Sequence, residues 1–210
     1  DSGFRFQMQF DGVFRDANFW LNGFYLGNNK SGYVGVNYDV TDFINYHKEN
    51  VLVVRVDATQ YEGWFYEGAG IYRHVWLKKY PNAHIATDGV FAYAAINGNK
   101  ARLSVETSIT NENNIACNYT VNTYLTDRAG NKVATAREQN ISLAANGERT
   151  VKQQIMVSDP HLWSLDDPYL YRVLVELKQD GRIIERKKIR FGFRTVDIKP
   201  NGVFLNGKHI

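Results

Sequence analysis

Between Gly63 and Leu77 the chain sets Trp64, Phe65, Tyr66 and Glu67 among Gly63, Gly68 and Gly70, then runs through Ile71-Tyr72-Arg73-His74 into Val75-Trp76-Leu77. Three adjacent aromatic rings are costly to leave in water, and the glycines free the backbone to turn. Such a loop either packs against another surface or lines a pocket. Glu62 and Glu67 flank Trp64, and the plainer reading of both is a solvated loop glutamate. Gly68-Ala-Gly-Ile-Tyr-Arg begins like a dinucleotide fingerprint but ends in arginine and precedes a strand, so it presents no helix N-terminus to a phosphate.

Other catalytic patterns are missing. The sequence holds no Gly-x-Ser-x-Gly elbow, no His-Glu-x-x-His zinc motif and no Walker loop. Its 5 histidines are scattered without metal-ligand spacing. No pair of carboxylates can be placed across a scissile bond from sequence alone. No catalytic residue, no metal and no cofactor is therefore expected from these residues.

The elements that must carry the loop are strands. Phe4, Phe6, Met8 and Phe10 alternate with Arg5, Gln7 and Gln9, and Leu103, Val105, Thr107 and Ile109 alternate with Arg102, Ser104, Glu106 and Ser108. Tyr171, Val173, Val175 and Leu177 repeat the pattern. A period of two predicts strands buried on one face. Asn22-Gly23, Asn97-Gly98, Asn146-Gly147 and Asp180-Gly181 offer positive φ for tight hairpins, with Asp180-Gly181 the clearest. No helical stripe is sustained; Asp42–Tyr46 reads as a turn at most. Short strands spaced by roughly ten residues predict sandwiches or barrels. The proline-bearing stretch Lys79–Asp88 is the best boundary between two all-β domains. Trp20 and Trp76 read as core, Asn22-Gly23 as a hairpin, and Trp163, Pro168 and Tyr171 as a packed corner.

Composition bounds the partners. Of 210 residues, 44% are hydrophobic, 14% aromatic and 22% charged, the balance of a globular protein. The net charge of +3 implies no strong electrostatic partner. Arg186, Lys188 and Arg190 fall on one strand face, which reads as solvated and lacks the interleaved aromatics of a nucleic-acid surface. The single cysteine, Cys117, excludes an intrachain disulfide and reads as a buried thiol. No apolar stretch reaches membrane-spanning length and no signal peptide is visible, although the chain opens inside a strand-like pattern.

The order of motifs is more specific than any one of them. Phe10-Asp-Gly-Val, Phe19-Trp-Leu-Asn-Gly, Tyr25-Leu-Gly, Tyr38-Asp-Val-Thr-Asp, Glu49-Asn-Val-Leu-Val-Val-Arg-Val-Asp and Gly68-Ala-Gly-Ile-Tyr-Arg-His-Val-Trp-Leu follow one another. This succession resembles the sugar-binding jelly-roll domain of family 2 glycoside hydrolases. Leu162-Trp-Ser-Leu-Asp-Asp-Pro-Tyr-Leu-Tyr and Phe191-Gly-Phe-Arg resemble that family's immunoglobulin-like domain, and Gly202-Val-Phe-Leu-Asn-Gly-Lys-His-Ile its entry into a catalytic (β/α)8 barrel. The resemblance implies a jelly-roll sandwich over residues 1–82, an immunoglobulin-like sandwich over 83–196, and the start of the barrel over 197–210.

It also implies that the family's first jelly-roll strands lie upstream of Asp1 and both catalytic glutamates beyond Ile210. The implied parent is a retaining β-galactosidase, with β-glucuronidase or β-mannosidase as alternatives, and the chain alone would be inactive. A carbohydrate-binding module and a purely structural scaffold are the readings from other classes. Within the family the loop at Gln60–Gly70 leans over the barrel mouth, so Trp64, Tyr66 and Glu67 become the substrate-binding candidates. Aromatic faces suit a pyranose and a carboxylate its hydroxyls. Arg73, Trp163 and Arg194 are assigned structural roles. The implied partners are a β-galactoside and a barrel of the same chain, with no nucleic acid and no membrane. Homo-oligomerisation stays open, and family habit implies a periplasmic or secreted bacterial setting.

Overall fold

A computed structural model of the chain describes residues 3–57, 59 and 68–210. It divides into two compact units, Asp1–Pro81 and Asn82–Ile210. Both are built from β-strands, the first as a jelly-roll sandwich and the second as an immunoglobulin-like sandwich.

In the first unit, strands β1 (Phe4–Phe10), β5 (Val36–Asp39) and β8 (Val75–Pro81) form one antiparallel sheet with β1 in the middle. Strands β3 (Ala17–Leu21), β4 (Phe24–Asn29) and β6 (Leu52–Arg55) form a second, with β3 central. The short strands β2 (Val13–Phe14) and β7 (Gly70–Ile71) pair with each other. The alternation in β1 buries Phe6, Met8 and Phe10, and that in β3 buries Ala17, Phe19 and Leu21. Phe10 meets Phe19 with ring centroids 4.5 Å apart, at the heart of this core. Fully burying each such ring is worth about 2–3 kcal/mol.

Trp20 is one step out of phase with these core residues. It lies half-buried on the outer face of β3, against Tyr25 at 5.4 Å, and is not core. Asn22-Gly23 does turn the β3–β4 hairpin, with φ of 52° and 85°. The Asp42–Tyr46 stretch contributes only a 3-10 turn, Thr41–Phe43.

The second unit opens with β9 (Ala83–Asn97), β10 (Lys100–Asn111) and, later, β14 (Gly147–Ser158), a sheet with β10 in the middle. Facing it are β11 (Cys117–Thr126), β12 (Lys132–Thr135), β13 (Gln139–Leu143), β15 (Tyr171–Gln179) and β16 (Arg182–Phe191). The predicted alternations fill the core: Leu103, Val105 and Ile109 from β10 pack with Val173, Val175 and Leu177 from β15. Asp180-Gly181, both at positive φ, turns the β15–β16 hairpin.

Asn146-Gly147 is not a hairpin. β13 pairs with β11 and β14 with β10, so this turn carries the chain from one sheet to the other. Cys117, at the start of β11, is half-buried, not fully buried, and packs against the edge of this core. A terminal three-stranded sheet follows, β17 (Val196–Lys199), β18 (Gly202–Leu205) and β19 (Lys208–His209).

Two buried amides join the layers of this unit. Gln153 of β14 accepts the Thr123 hydroxyl of β11 at 2.7 Å and donates to the carbonyls of Val121 and Arg137. Asn111, at the end of β10, donates to the carbonyls of Ile115 and Ala144 and accepts the Tyr119 hydroxyl at 3.1 Å. Buried carbonyls need partners, and these amides supply them where the ladders stop.

Candidate functional site

The substrate-binding candidates Trp64, Tyr66 and Glu67 lie outside the described residues, as do Glu62 and Phe65. What is described is the rim to which their segment is tied. On one side Asp57 N–H donates to the carbonyl of Arg15 at 3.1 Å; on the other Gly70 pairs with Phe14. Consecutive residues of one strand end thus anchor both flanks.

The pairing continues along the segment 70–77. Val13 is opposite Ile71, Tyr72 N–H donates to the Gly12 carbonyl, and Asp11 N–H donates to the His74 carbonyl at 3.0 Å. From Phe10 onward the ladder is regular β1–β8 pairing, which sets Gln9 opposite Trp76. This register brings a carboxylate, an imidazole and an indole together. Trp76 Nε1 donates to Asp11 Oδ2 at 2.9 Å, and Gln9 Nε2 donates to Oδ1 at 2.7 Å. His74 Nδ1 stands 3.7 Å from Oδ2, and its ring stacks on Trp76 at 5.2 Å. The Trp76 hydrogen bond, helped by Gln9 and by the charges of His74 and Lys78, holds the Asp11 carboxyl below its ordinary value against the opposing effect of burial.

Trp76 was expected in the core. It is instead 48% exposed, because β8 is the edge of its sheet and Trp76 stands on the face opposite Met8 and Phe10. Tyr72 donates its hydroxyl to the Gly32 carbonyl at 2.7 Å, laying its ring across Gly12. A Cβ on Gly12 would meet Tyr72 Cζ at 2.7 Å, so only glycine admits this packing. Arg73 is exposed, its guanidinium carbon 6.0 Å from the Tyr72 ring centroid. Asp11, Gly35, Tyr72, Arg73 and His74 line an open cavity of about 450 Å³.

The rim presents an ionised acceptor, flat exposed rings and a guanidinium donor, the kit for holding a polar, ring-shaped ligand. Among the described residues lining it Asp11 is the single carboxylate, whereas two-carboxylate hydrolysis needs a second about 5 Å away. Reading along the sequence missed Asp11, His74 and Trp76 as a group. They are 65 residues apart in the Asp11–Trp76 bond, and only the strand register joins them.

The remaining sequence candidates meet in the second unit. The Arg194 guanidinium lies over the Trp163 ring at 4.9 Å, and Trp163 N–H donates to the Phe193 carbonyl at 2.8 Å. Asn206 ties this corner to the terminal sheet, donating to the Trp163 carbonyl and accepting from Thr195 N–H. Phe193 is fully buried between Tyr171 and Phe191, edge-on to both. Asn206 also lines a cavity of about 540 Å³, together with Leu165, Asp166, Leu205, His209 and Ile210 among others.

The chain spans about a quarter of the length of the curated relatives it matches. It is 34% identical to a β-galactosidase, BoGH2A, of Bacteroides ovatus over 99% of this chain and 25% of that protein. It is 28% identical to a β-glucuronidase of Formosa agariphila over 100% of this chain and 24% of that one. Among solved structures, a glycosyl hydrolase family 2 member from Bacteroides cellulosilyticus superposes with a TM-score of 0.94 at 32% identity, covering 99% of this chain and 29% of that one. The model of the sugar binding domain of glycosyl hydrolases family 2 matches residues 2–81, and that of glycosyl hydrolases family 2 matches 83–194. With both models in sequence order and nearly every residue taken in, the chain belongs to glycosyl hydrolases family 2.

Proposed function

We propose that this chain is the non-catalytic amino-terminal part of a β-galactosidase of family 2, divided as residues 1–82, 83–196 and 197–210, the last being the entry to a catalytic (β/α)8 barrel. The observation that carries the reading is the match of both family models to a chain about a quarter as long as its relatives. The first sandwich acts as a wall: the segment Gln60–Gly70, with Trp64, Tyr66 and Glu67, meets a sugar held by the barrel, and Phe14 and Arg15 anchor the described flanks of that segment. Galactose is proposed on the 34% identity to a β-galactosidase; relatives named as β-glucuronidases match at 32% and 28%, so glucuronic acid is the alternative that the second substrate tests. Arg73, Trp163 and Arg194 hold the framework.

The test is hydrolysis of nitrophenyl β-D-galactoside and nitrophenyl β-D-glucuronide, by this chain and by the same chain continued through a barrel. The expected result is no turnover by the 210-residue chain and galactoside turnover by the longer one, reduced by Trp64→Ala. Turnover by the chain alone, abolished by a substitution within it, would overturn the proposal.

A second reading, an autonomous carbohydrate-binding module, draws support from the half-buried Asp11 carboxylate and the exposed Tyr72 and His74 rings around the 450 Å³ cavity. Calorimetric titration of the chain with galactosides separates the two. Binding lost in both Trp64→Ala and Trp76→Ala favours the module; absence of heat favours the wall.

A further inference from the structure

The outer face of the five-stranded sheet in the second unit concentrates positive charge. The β15–β16 register sets Arg172 opposite Arg190, Leu174 opposite Lys188, and Glu176 opposite Arg186, with Lys178 next along β15. From β12, Lys132 pairs with Thr126, itself opposite Arg172, and lays its ammonium 4.0 Å from the Tyr124 ring centroid. The face thus carries six cations, Lys132, Arg172, Lys178, Arg186, Lys188 and Arg190, against one carboxylate, Glu176. That excess of five exceeds the chain's whole net charge of +3, so the rest of the chain is net negative.

Glu176 is already spoken for. It is buried, and Nε and Nη2 of Arg186 both donate to Oε1, at 3.0 and 2.6 Å, while the Tyr124 hydroxyl donates to Oε2. The outermost cations, Lys188 and Arg190, are exposed.

Protection of an edge strand against aggregation explains charge on β16, which is the edge of this sheet. It equally covers Lys132 on β12, the opposite edge, but not Arg172 and Lys178 on β15, which lies inside the sheet between β11 and β16. Arg172 directly opposite Arg190 is a like-charge cross-strand pair, which costs stability. A ligand that offsets this repulsion is an anion that spans several strands.

We propose that this face binds an anionic polysaccharide, a chain bearing carboxylates or sulfates, apart from any site in the first unit. Beside the cations, Asn118 and Thr120 of β11 and Asn140 and Ser142 of β13 share the face through their register, supplying amides and hydroxyls for sugar hydroxyls. Nucleic acid fits less well: Tyr124, the ring on this stretch, is covered by Lys132 and offers no stacking platform.

The test is affinity electrophoresis of the purified chain through gels containing polygalacturonate or chondroitin sulfate, with neutral dextran and duplex DNA as comparison matrices. Retardation by one of the anionic glycans, weakening as salt rises, is expected, with none by dextran. The double variant Lys188→Glu/Arg190→Glu is expected to lose about tenfold or more in affinity. Lys100→Glu/Arg102→Glu, an equal charge change on exposed residues of the other sheet, should retain most of the retardation. Circular dichroism melting confirms that both variants fold. No retardation of the parent chain, equal loss in the two folded double variants, or retardation by DNA as strong as by the glycans would each overturn the proposal. None of these outcomes bears on galactoside hydrolysis, which is read separately.

Discussion

Asp11 in the first sandwich and Asn111 in the second each gather hydrogen bonds from several directions, but to opposite ends. Asp11 is partly open to solvent, and its partners Gln9 and Trp76 are side chains that leave a carboxylate facing a cavity. Asn111 is wholly buried, and its amide is consumed by two loop carbonyls and the Tyr119 hydroxyl. The first arrangement stays available to a ligand; the second closes a structural circuit. Low exposure combined with backbone partners marks a pin, and partial exposure with side-chain partners marks a site.

The largest effect tests the pin. Asn111→Leu leaves the Ile115 and Ala144 carbonyls and the Tyr119 hydroxyl without their partner, and is expected to cost about 3 kcal/mol in urea unfolding. A loss under 1 kcal/mol would mean that these groups find water instead.

Glycines sharpen the same contrast. A Cβ on Gly89 meets the carbonyl oxygens of Ala86 and Ser108 at 2.7 and 3.0 Å, at the bulge where β9 skips against β10. Backbone cannot yield as a side chain can, so Gly89→Ala is expected to cost about 2 kcal/mol. Gly12→Ala meets only the Tyr72 and Arg73 side chains. It should cost about 1 kcal/mol or less while displacing Tyr72 and reshaping the cavity. Equal thermal shifts in the two variants would break the distinction.

Much of this was legible in the sequence. The period-two runs of β1, β10 and β15 located the strands and their buried faces, because one face of each meets a core. Asp180-Gly181 marked its hairpin because two positive-φ residues between strands permit little else. Asn146-Gly147 misled for the same reason: a left-handed turn shows that the chain reverses, not that its flanks pair. Trp20 and Trp76 misled because bulk and apolarity do not specify which face of a strand is covered. The Asp11 rim was illegible, since it exists only through the β1–β8 register. The aromatic loop was legible as composition, and its geometry lies outside the described residues.

Tyr119 extends the comparison to alkaline pH. Burial, with the Cys117 thiol beside it, pushes its phenol from 10.0 up to about 12. The unfolded chain ionises first, so the contribution of Tyr119 to stability is intact below pH 10 and is lost as pH rises toward 12. Tyr119→Phe is expected to lose about 1 kcal/mol at neutral pH with its hydrogen bond to Asn111. Its stability should then fall less steeply than that of the parent across that alkaline range, as read by denaturation at a series of pH values. An unaltered alkaline slope would place the titration elsewhere.

Asp11 should give the smallest change in stability and the clearest local signal. Its carboxyl is held below the usual 3.8, chiefly by the Trp76 hydrogen bond, so the folded state keeps it ionised further into acid than the unfolded chain does. What it contributes is present above that ordinary value and vanishes as pH falls through the lowered one. Protonation converts Oδ2 or Oδ1 from acceptor to donor and loosens the Trp76 indole, which should shift the indole emission below pH 3.8. Asp11→Asn is neutral at every pH and offers one acceptor oxygen where Asp11 offers two, so the acid transition in emission seen in the parent should be absent from the variant. Because His74 and Lys78 also act on this carboxylate, the variant is expected to weaken any ligand held through a hydroxyl donor while leaving the melting midpoint nearly unchanged. A midpoint that dropped as far as that of Asn111→Leu would make Asp11 a second pin, and the distinction between the two sandwiches would fail there.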